Sequence, residues 1–178
     1  MKIWVVTYSI LFALPTLSFA DSFNCTLLHN SGGTFRGFSL QDSVLYIGSS
    51  SMVKQYDISD PYNPALLRSV DTDFQINSLV GNSDLVFASH RDAGITILDF
   101  RNEEIVVQGP MFYEDNWCNY NCLQYQEPYL YFAKKYVMMG VTLEIADMSN
   151  IDSPQTWSLG AGLFYFNFDV CDTLAFIG

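Results

Sequence analysis

The chain has 178 residues and carries 8 Lys and Arg against 19 Asp and Glu, a formal net charge of −11. An acidic surface repels phosphate groups, so nucleic acid and anionic membrane surfaces are excluded as partners. Hydrophobic residues make up 49% of the chain and aromatic residues 16%, which is enough for a core and excludes a disordered protein.

The first twenty residues have the pattern of a secretory signal peptide. Lys2 precedes an apolar run that ends at Leu14, and "SFA" places small residues before a cleavage site after Ala20. Pro15 interrupts the run, which is short for a membrane span, and an uncleaved signal anchor is the alternative. The sequence therefore predicts a signal peptide over 1–20, an N-terminal segment over 21–36, and a protein that is secreted or held at the extracellular surface.

Four cysteines follow the signal, and an even number on the secretory route favours disulfide bonds over a reduced metal site. Three pairings are open, and a tight bridge within the segment "CNYNC" belongs to one of them. A zinc site is the alternative, but neither a histidine pair nor a second close cysteine pair accompanies these residues. We therefore predict disulfides, no metal and no cofactor. The four residues are Cys25, Cys118, Cys122 and Cys171.

A glycosylation acceptor lies close to the predicted N-terminus of the mature chain. Asn24-Cys25-Thr26 matches the N-x-S/T pattern. We predict that Asn24 is glycosylated, in competition with disulfide formation by Cys25.

After the signal, the chain repeats one hairpin pattern four times. In each copy an apolar run is followed by a turn-type or acidic residue and then by an apolar run ending in a small residue, which predicts strand, tight turn, strand. The copies start 40, 45 and 45 residues apart, and they are Leu45-Tyr46-Ile47-Gly48, Leu85-Val86-Phe87-Ala88, Leu130-Tyr131-Phe132-Ala133 and Ala175-Phe176-Ile177-Gly178.

Two further strand patterns complete each unit. The segments "MVKQYDIS", "GITILDF" and "VTLEIADMS" place apolar residues at roughly every second position and end near Asp57, Asp99 and Asp147. The runs "ALLRSV", "EIVVQG" and "QTWSLG" follow, and no helical period appears outside the signal. This pattern predicts an all-β fold of β-propeller blades with four antiparallel strands each; a β-sandwich is the alternative. We place three complete blades at about 37–75, 76–121 and 122–165, and a partial fourth blade at 166–178.

The repeat resembles that of the LVIVD repeat family. The stretch "LYIGSSSMVKQYDISDPYNPALLRSVDT" carries the aromatic-apolar-small strand, the strand ending in apolar-Asp-apolar, and the "sDPxxP" turn of that family. The second copy, "LDFRNEEIVV", lacks both prolines, and the third, "ADMSNIDSP", keeps one. The resemblance covers about 37–178 and implies a propeller of an extracytoplasmic or surface protein. It implies no catalytic residue.

The fourth copy stops at Gly178, which aligns with Gly48. Three complete blades and part of a fourth do not close a ring, since known rings begin at about four blades. We expect the chain to be the N-terminal fragment of a longer protein. The alternatives are a truncated gene model and a partner chain that completes the fourth blade.

The strand-end acids are the first candidates for chemistry. Asp57, Asp99 and Asp147 could surround an axial ion or ligand. An acid at a strand end, however, commonly accepts backbone N–H groups of the following turn, and the same residue recurs once per blade. We therefore assign all three as structural turn acids and assign no catalytic residue.

Three other groups of polar and aromatic residues are noteworthy. His90-Arg91-Asp92 is predicted to lie in a solvated loop, because no nucleophile or metal partner accompanies the histidine. Lys134 and Lys135 are predicted in a solvent-facing hairpin, where charge discourages edge pairing. The aromatic residues around "CNYNC" fit either a recognition patch or packing between blades. They are Tyr113, Trp117, Tyr120 and Tyr125.

Two function classes follow from these observations. The favoured one is a secreted or cell-surface interaction module, whose propeller presents loops to a protein or glycan partner. The alternative is an extracellular propeller enzyme, a hydrolase or lyase, with carboxylates around the central channel. A propeller fold hosts both classes, so the fold does not decide between them.

Overall fold

The structure of the chain, a computed structural model, describes residues 35–91, 93–112, 118–136, 140–163, 168–171 and 174–177. All regular structure in these residues is β-strand, which confirms the predicted all-β class. No helix in this part of the chain is long and apolar enough to cross a membrane. The strands are β1 (Phe35–Gln41), β2 (Val44–Ser49), β3 (Met52–Asp57), β4 (Ala65–Asp71), β5 (Ile76–Gly81), β6 (Leu85–His90), β7 (Ile95–Asp99), β8 (Val106–Met111), β9 (Cys118–Gln126), β10 (Tyr129–Tyr136), β11 (Gly140–Asp147), β12 (Gln155–Leu163), β13 (Phe168–Cys171) and β14 (Leu174–Ile177).

The strands form separate antiparallel sheets, each built from consecutive strands. Strands β1–β4 form sheet 1, β5–β8 form sheet 2 and β9–β12 form sheet 3, so each of these sheets has the four strands that the repeat predicts. Strands β13 and β14 form the two-stranded sheet 4. Within the described residues the sheets do not close into a ring.

Strand pairing corrects the alignment of the second repeat. The first residue of the second strand in each sheet pairs with the acid that ends the third strand. Leu45 therefore corresponds to Val86 and Leu130, and the predicted match of Leu45 with Leu85 is wrong by one residue. The Asn82 side chain explains the shift, because its oxygen accepts the backbone N–H groups two and three residues on, at 2.9 and 2.8 Å, which moves the turn. The three pairs are Val44–Asp57, Leu85–Asp99 and Tyr129–Asp147.

Each strand alternates its side chains between the two faces of its sheet. We call the face turned to the following sheet the forward face, and the opposite one the backward face. Phe87 lies on the forward face of sheet 2, with its ring centroid 4.7 Å from that of Tyr125 in sheet 3. Its neighbour Val86 lies on the backward face and packs in one cluster with Tyr46 of sheet 1. Residues that correspond in the repeat therefore face the same way in each sheet.

Two apolar clusters fill the spaces between the sheets. Sheet 2 contributes to both clusters, so strands β6 and β7 are buried over their whole length. The cluster between sheets 1 and 2 contains Tyr46, Val53, Ile76, Leu79, Val86, Ala88, Leu98 and Phe100. The cluster between sheets 2 and 3 contains Leu85, Phe87, Ile95, Ile97, Tyr120, Leu123, Leu130, Phe132, Ala146 and Met148.

The first strands of successive sheets are neighbours, because β1 packs against β5 and β5 against β9. Two glycines permit the close approach between sheets 1 and 2. A Cβ atom at Gly37 would lie 2.7 Å from the backbone N of Leu79, and one at Gly48 would lie 2.9 Å from Cγ2 of Ile76. The first strands can therefore approach this closely only where a side chain is absent.

Lys134 does not lie in a solvent-facing hairpin, and that prediction is wrong. It is buried within β10, a strand that pairs with β9 on one side and β11 on the other and so has no edge to protect. The prediction failed because β10 runs on to Tyr136 and the turn begins later than in the other repeats. Lys135 is exposed, as predicted.

We expect Gly37→Ala to lower the free energy of unfolding by about 1–3 kcal/mol. The added methyl group meets the backbone of β5, which is held by its pairing with β6 and cannot move aside freely. Urea denaturation followed by circular dichroism measures the change. Ser69→Ala, an exposed position on β4, is the control and should change stability by less than about 0.5 kcal/mol. Equal stability of Gly37→Ala and the natural chain would contradict the close packing of the first strands.

Candidate interaction surface

The turns between first and second strands, and those between third and fourth strands, lie along one edge of the stacked sheets. The Tyr46 hydroxyl donates to the Ser83 carbonyl at 2.9 Å, which joins sheet 1 to the first turn of sheet 2. The Asn82 amide donates to the Glu127 carboxylate at 3.3 Å, which joins the first turns of sheets 2 and 3. We call this surface the turn edge; it comprises residues 42–43, 58–64, 82–84, 100–105, 127–128 and 148–154.

The three strand-end acids each bind the turn that follows them. Asp57 accepts the N–H of Ser59 at 2.8 Å, and Asp147 accepts the N–H of Ser149 at 2.9 Å. Asp99 accepts the N–H of Arg101 at 3.0 Å. Hydrogen bonds from Ser59 hold the pKa of the Asp57 carboxyl below its usual range, and those from Ser149 do the same for the pKa of Asp147. Each carboxylate is engaged by its own loop, so the three acids do not converge on one site.

Asp99 differs from the other two acids because it is buried and paired with a cation. Both of its oxygens accept hydrogen bonds from the Arg101 guanidinium, whose Nε lies 2.9 Å from Oδ1 and 3.0 Å from Oδ2. These bonds, together with the Arg101 backbone N–H and the positive charge, lower the pKa of the Asp99 carboxyl. Among the described residues, no three His, Cys, Asp or Glu side chains lie close enough to hold a metal ion.

Arg68, on the fourth strand of sheet 1, ties that sheet to the turn edge of sheet 2. Its Nε donates to the Gln55 side-chain oxygen at 2.7 Å, and its guanidinium donates to the carbonyls of Asn102 at 2.8 Å and Phe100 at 3.3 Å. The guanidinium also lies 5.0 Å from the centroid of the Phe100 ring. The Gln55 amide in turn donates to the Tyr46 hydroxyl at 2.9 Å. One chain of hydrogen bonds thus crosses sheet 1 and ends on two loops of sheet 2.

A corresponding contact joins sheets 2 and 3. Gln108 occupies the position of Arg68, since it pairs with Ile97 where Arg68 pairs with Gln55. Its amide donates to the Asp152 carboxylate, at 3.1 Å, in the loop after β11. The fourth strand of one sheet therefore contacts the loop after the third strand of the next sheet in both interfaces.

Apolar side chains stay exposed on the outer strands, close to the turn edge. Leu66 is 54% exposed and Leu67 is 51% exposed on β4, while Trp157 is 47% exposed on β12. Val106 and Val107 are exposed in the same way on β8. These exposed apolar residues were not predicted from the sequence. The pairs Leu66-Leu67 and Val106-Val107 could have indicated them, because two adjacent apolar residues break the alternation of a half-buried strand and one of the two must face away from the core.

The turn edge itself is acidic. Its one basic residue within the described chain is Arg101, which is engaged with Asp99. The loops that precede the exposed apolar positions of β4, β8 and β12 therefore carry negative charge. The exposed acids are Asp42, Asp60, Asp84, Glu103, Glu104, Glu127 and Asp152.

His90 is not in a solvated loop, and that prediction is wrong. It is the last residue of β6 and is 1% exposed. Its Nδ1–H donates to the Gln75 carbonyl at 3.3 Å, and its Nε2 lies 2.8 Å from the Thr96 hydroxyl. The Phe74 ring lies 5.5 Å from the imidazole. Burial lowers the pKa of His90, so the imidazole is neutral and structural.

The cysteines and the aromatic group are described only in part. Cys122 is a free, half-buried cysteine in β9, and burial raises the pKa of its thiol. Tyr120 is fully buried in the core, and burial raises the pKa of the Tyr125 phenol to about 12 where that ring packs on Phe87. These two aromatics therefore serve packing. Cys118 and Cys171 lie in strands β9 and β13, whereas Asn24, Cys25, Tyr113 and Trp117 lie outside the described residues.

Neither a protein-family model nor a curated protein sequence matches the chain. Among solved structures, the chain is similar to the crystal structure of the computationally designed Ika4 protein, with a TM-score of 0.66 and 11% sequence identity. The similarity covers 87% of this chain and 92% of that chain. At this identity the likeness shows the fold alone and carries no function.

We expect Arg68→Lys to lower the free energy of unfolding by about 1–3 kcal/mol. The three N–H donors of a lysine lie on one nitrogen and cannot reach acceptors that Nε, Nη1 and Nη2 of Arg68 contact separately, and an ammonium group has no planar surface to lie over the Phe100 ring. Urea unfolding of the two chains measures the difference. Arg91→Lys, at an exposed position, is the matched control and should change stability by less than about 0.5 kcal/mol. An equal effect of both substitutions would show that the link from sheet 1 to sheet 2 contributes nothing.

We expect the stability of the chain to fall on acidification from about pH 6.5, the usual pKa of an unfolded histidine. His90 has a lowered pKa when folded, so the unfolded state takes up a proton first and the stabilisation is lost as pH falls through the folded pKa. Unfolding free energies measured from pH 7 to pH 5 should show this slope. His90→Gln should remove it, whatever its stability at pH 7. The strand-end acids cannot mimic the effect, because their pKa values are lowered and their protonation begins only below about pH 4.

Proposed function

We propose that this protein is a secreted or cell-surface interaction module that binds a protein partner through its outer strands and turn edge. One observation carries the proposal. Apolar side chains are exposed on the fourth strand of three successive sheets: Leu66 and Val107 occupy corresponding positions on β4 and β8, and Trp157 on β12 occupies the position of Arg68 and Gln108. Exposed apolar patches rimmed by polar residues commonly mark protein interaction sites. A glycan is the other partner class, and the aliphatic leucines and valines favour a protein.

The proposed scaffold is a β-propeller-like repeat of the LVIVD type. In its support, first strands of successive sheets are neighbours and all turns of one kind lie along one edge. The same arrangement of fourth strand and loop recurs between sheets 1 and 2 and between sheets 2 and 3. The sequence motif "YDISDPYNP" of the first copy adds the family resemblance.

The proposed extracellular location rests on the N-terminal sequence. The signal pattern with cleavage after Ala20, the acceptor Asn24 and the even number of cysteines each suit the secretory route. An acidic partner surface is disfavoured by the acids of the turn edge. We therefore propose an extracellular partner with a basic and apolar binding surface.

An enzyme with a carboxylate site is the weaker alternative. Catalytic acids need pKa values near the operating pH, and they must converge on a reacting group. The strand-end acids are separated onto three loops and have lowered pKa values, which suits a turn better than a catalytic pair. No observation favours this alternative over the interaction module.

We expect the variant Leu66→Ser, Val107→Ser, Trp157→Ser to lose partner binding by at least about tenfold, because apolar contacts at the outer strands would be removed. The measurement is binding of the purified chain to an array of extracellular proteins and glycans, followed by titration of each hit. Circular dichroism establishes that the variant is folded. Phe38→Ser, on β1 at the opposite edge of sheet 1 from Leu66, is the matched control and should bind as the natural chain does. Undiminished binding by the triple variant would overturn the proposed surface.

A further inference from the structure

The backward face of sheet 1 is largely apolar, and no other described segment of the chain covers it. Two rows of paired residues cross this face from β1 to β4. The first row ends on Phe38, which is 72% exposed, and the second ends on Leu40, which is 55% exposed. Paired residues of neighbouring strands share a face. The rows are Phe38, Ile47, Lys54 and Ser69, and Leu40, Leu45, Tyr56 and Leu66.

The corresponding positions of sheets 2 and 3 are core positions. Leu79, which pairs with Ala88 as Phe38 pairs with Ile47, is 5% exposed. Val86 and Leu130, which correspond to Leu45, are fully buried. The same surface is therefore buried in each of the two later sheets and open in the first one.

In both interfaces within the chain, the backward face of a sheet is covered by the forward face of the sheet before it. The forward face of sheet 1, with Tyr46 and Val53, covers the backward face of sheet 2. The forward face of sheet 2, with Phe87 and Ile97, covers the backward face of sheet 3. The uncovered face of sheet 1 is thus the counterpart of two surfaces that forward faces of this chain cover.

Charge points to the same occupant. Lys54 stands in the middle of the first row, and the ion pair found in the described part of the chain is that of Arg101 with Asp99, so Lys54 has no acidic partner within it. A chain with a net charge of −11 supplies acids to a cation in this position. A two-fold contact of this face with itself would instead bring two copies of Lys54 together, which disfavours that arrangement.

We propose that a second copy of this chain covers the backward face of sheet 1, with the forward end of its own sheet stack. The contact repeats between two chains the stacking that sheets 1, 2 and 3 make within one chain. It is a head-to-tail contact, because two different surfaces meet. This self-association goes beyond the proposed partner binding, which uses the outer strands and the turn edge; the two surfaces share Leu66, whereas Phe38 and Leu40 belong to the stacking face alone.

The test is the mass of the purified chain in solution, measured by sedimentation velocity from about 1 to 100 µM, the range in which weak association is visible. We expect a dimer or a larger assembly that grows with concentration. Phe38→Glu places a charge on the open face and should reduce the assembly to monomer. Tyr62→Glu is the matched control, because Tyr62 is 71% exposed in the turn between β3 and β4 and belongs to neither row, and it should assemble as the natural chain does.

Leu40→Glu, at a second exposed position of the face, provides an independent variant if Phe38→Glu fails to fold. A natural chain that stays monomeric through the whole range overturns the proposal. An assembly that survives both Phe38→Glu and Leu40→Glu also overturns it, because the contact must then use another surface. Loss of assembly in these variants with unchanged binding to extracellular ligands separates this inference from the proposed function.

Discussion

Sheets 1, 2 and 3 each carry apolar side chains on both faces, and none of them can bury either face by itself. The strict alternation of side chains along each strand sends one set of residues to the preceding sheet and the other set to the following sheet. Stacking is therefore the interaction on which the rest of the structure depends. Sheet 2 has a neighbour on both sides and is the most completely buried, with β6 and β7 wholly enclosed. Sheet 1 has one neighbour within the described part of the chain, and Phe38 and Leu40 are exposed to solvent.

The two interfaces reach the same geometry by different chemistry. Between sheets 1 and 2 the contact includes a continuous series of hydrogen bonds, from the Ser83 carbonyl through Tyr46 and Gln55 to Arg68. Between sheets 2 and 3 the corresponding inner positions are isoleucines and aromatic rings, and the polar contacts are separate hydrogen bonds, from Asn82 to Glu127, from Asn77 to the Tyr120 carbonyl and from Gln108 to Asp152. A buried series of hydrogen bonds requires every partner to be in place, whereas apolar packing tolerates exchange of side chains more readily. The first interface is therefore the more specific of the two.

Much of the fold could be predicted from the sequence, because strand alternation and turn residues act locally. The all-β class, the four-stranded units and their order follow from such patterns. The alignment of the second copy could not be predicted, since a single asparagine side chain displaces the turn by one residue. His90 and Lys134 resemble loop residues in sequence, and only the length of their strands and the packing of a neighbouring sheet bury them. The outer-strand surface was missed because it depends on which strand of each sheet has no further neighbour.

Local pairing within each sheet also bears on how such a chain folds as it is synthesised. All backbone ladders of sheet 1 lie within residues 35–71, so its four strands can pair before any residue of sheet 2 is available. Short loops close quickly, and a fold assembled from them has few slow, distant steps. The forward apolar face of a newly formed sheet, in contrast, stays exposed until the next sheet has been synthesised. During synthesis from the N-terminus, the growing chain thus carries one uncovered face forward at each stage, where a chaperone can bind until the following sheet replaces it.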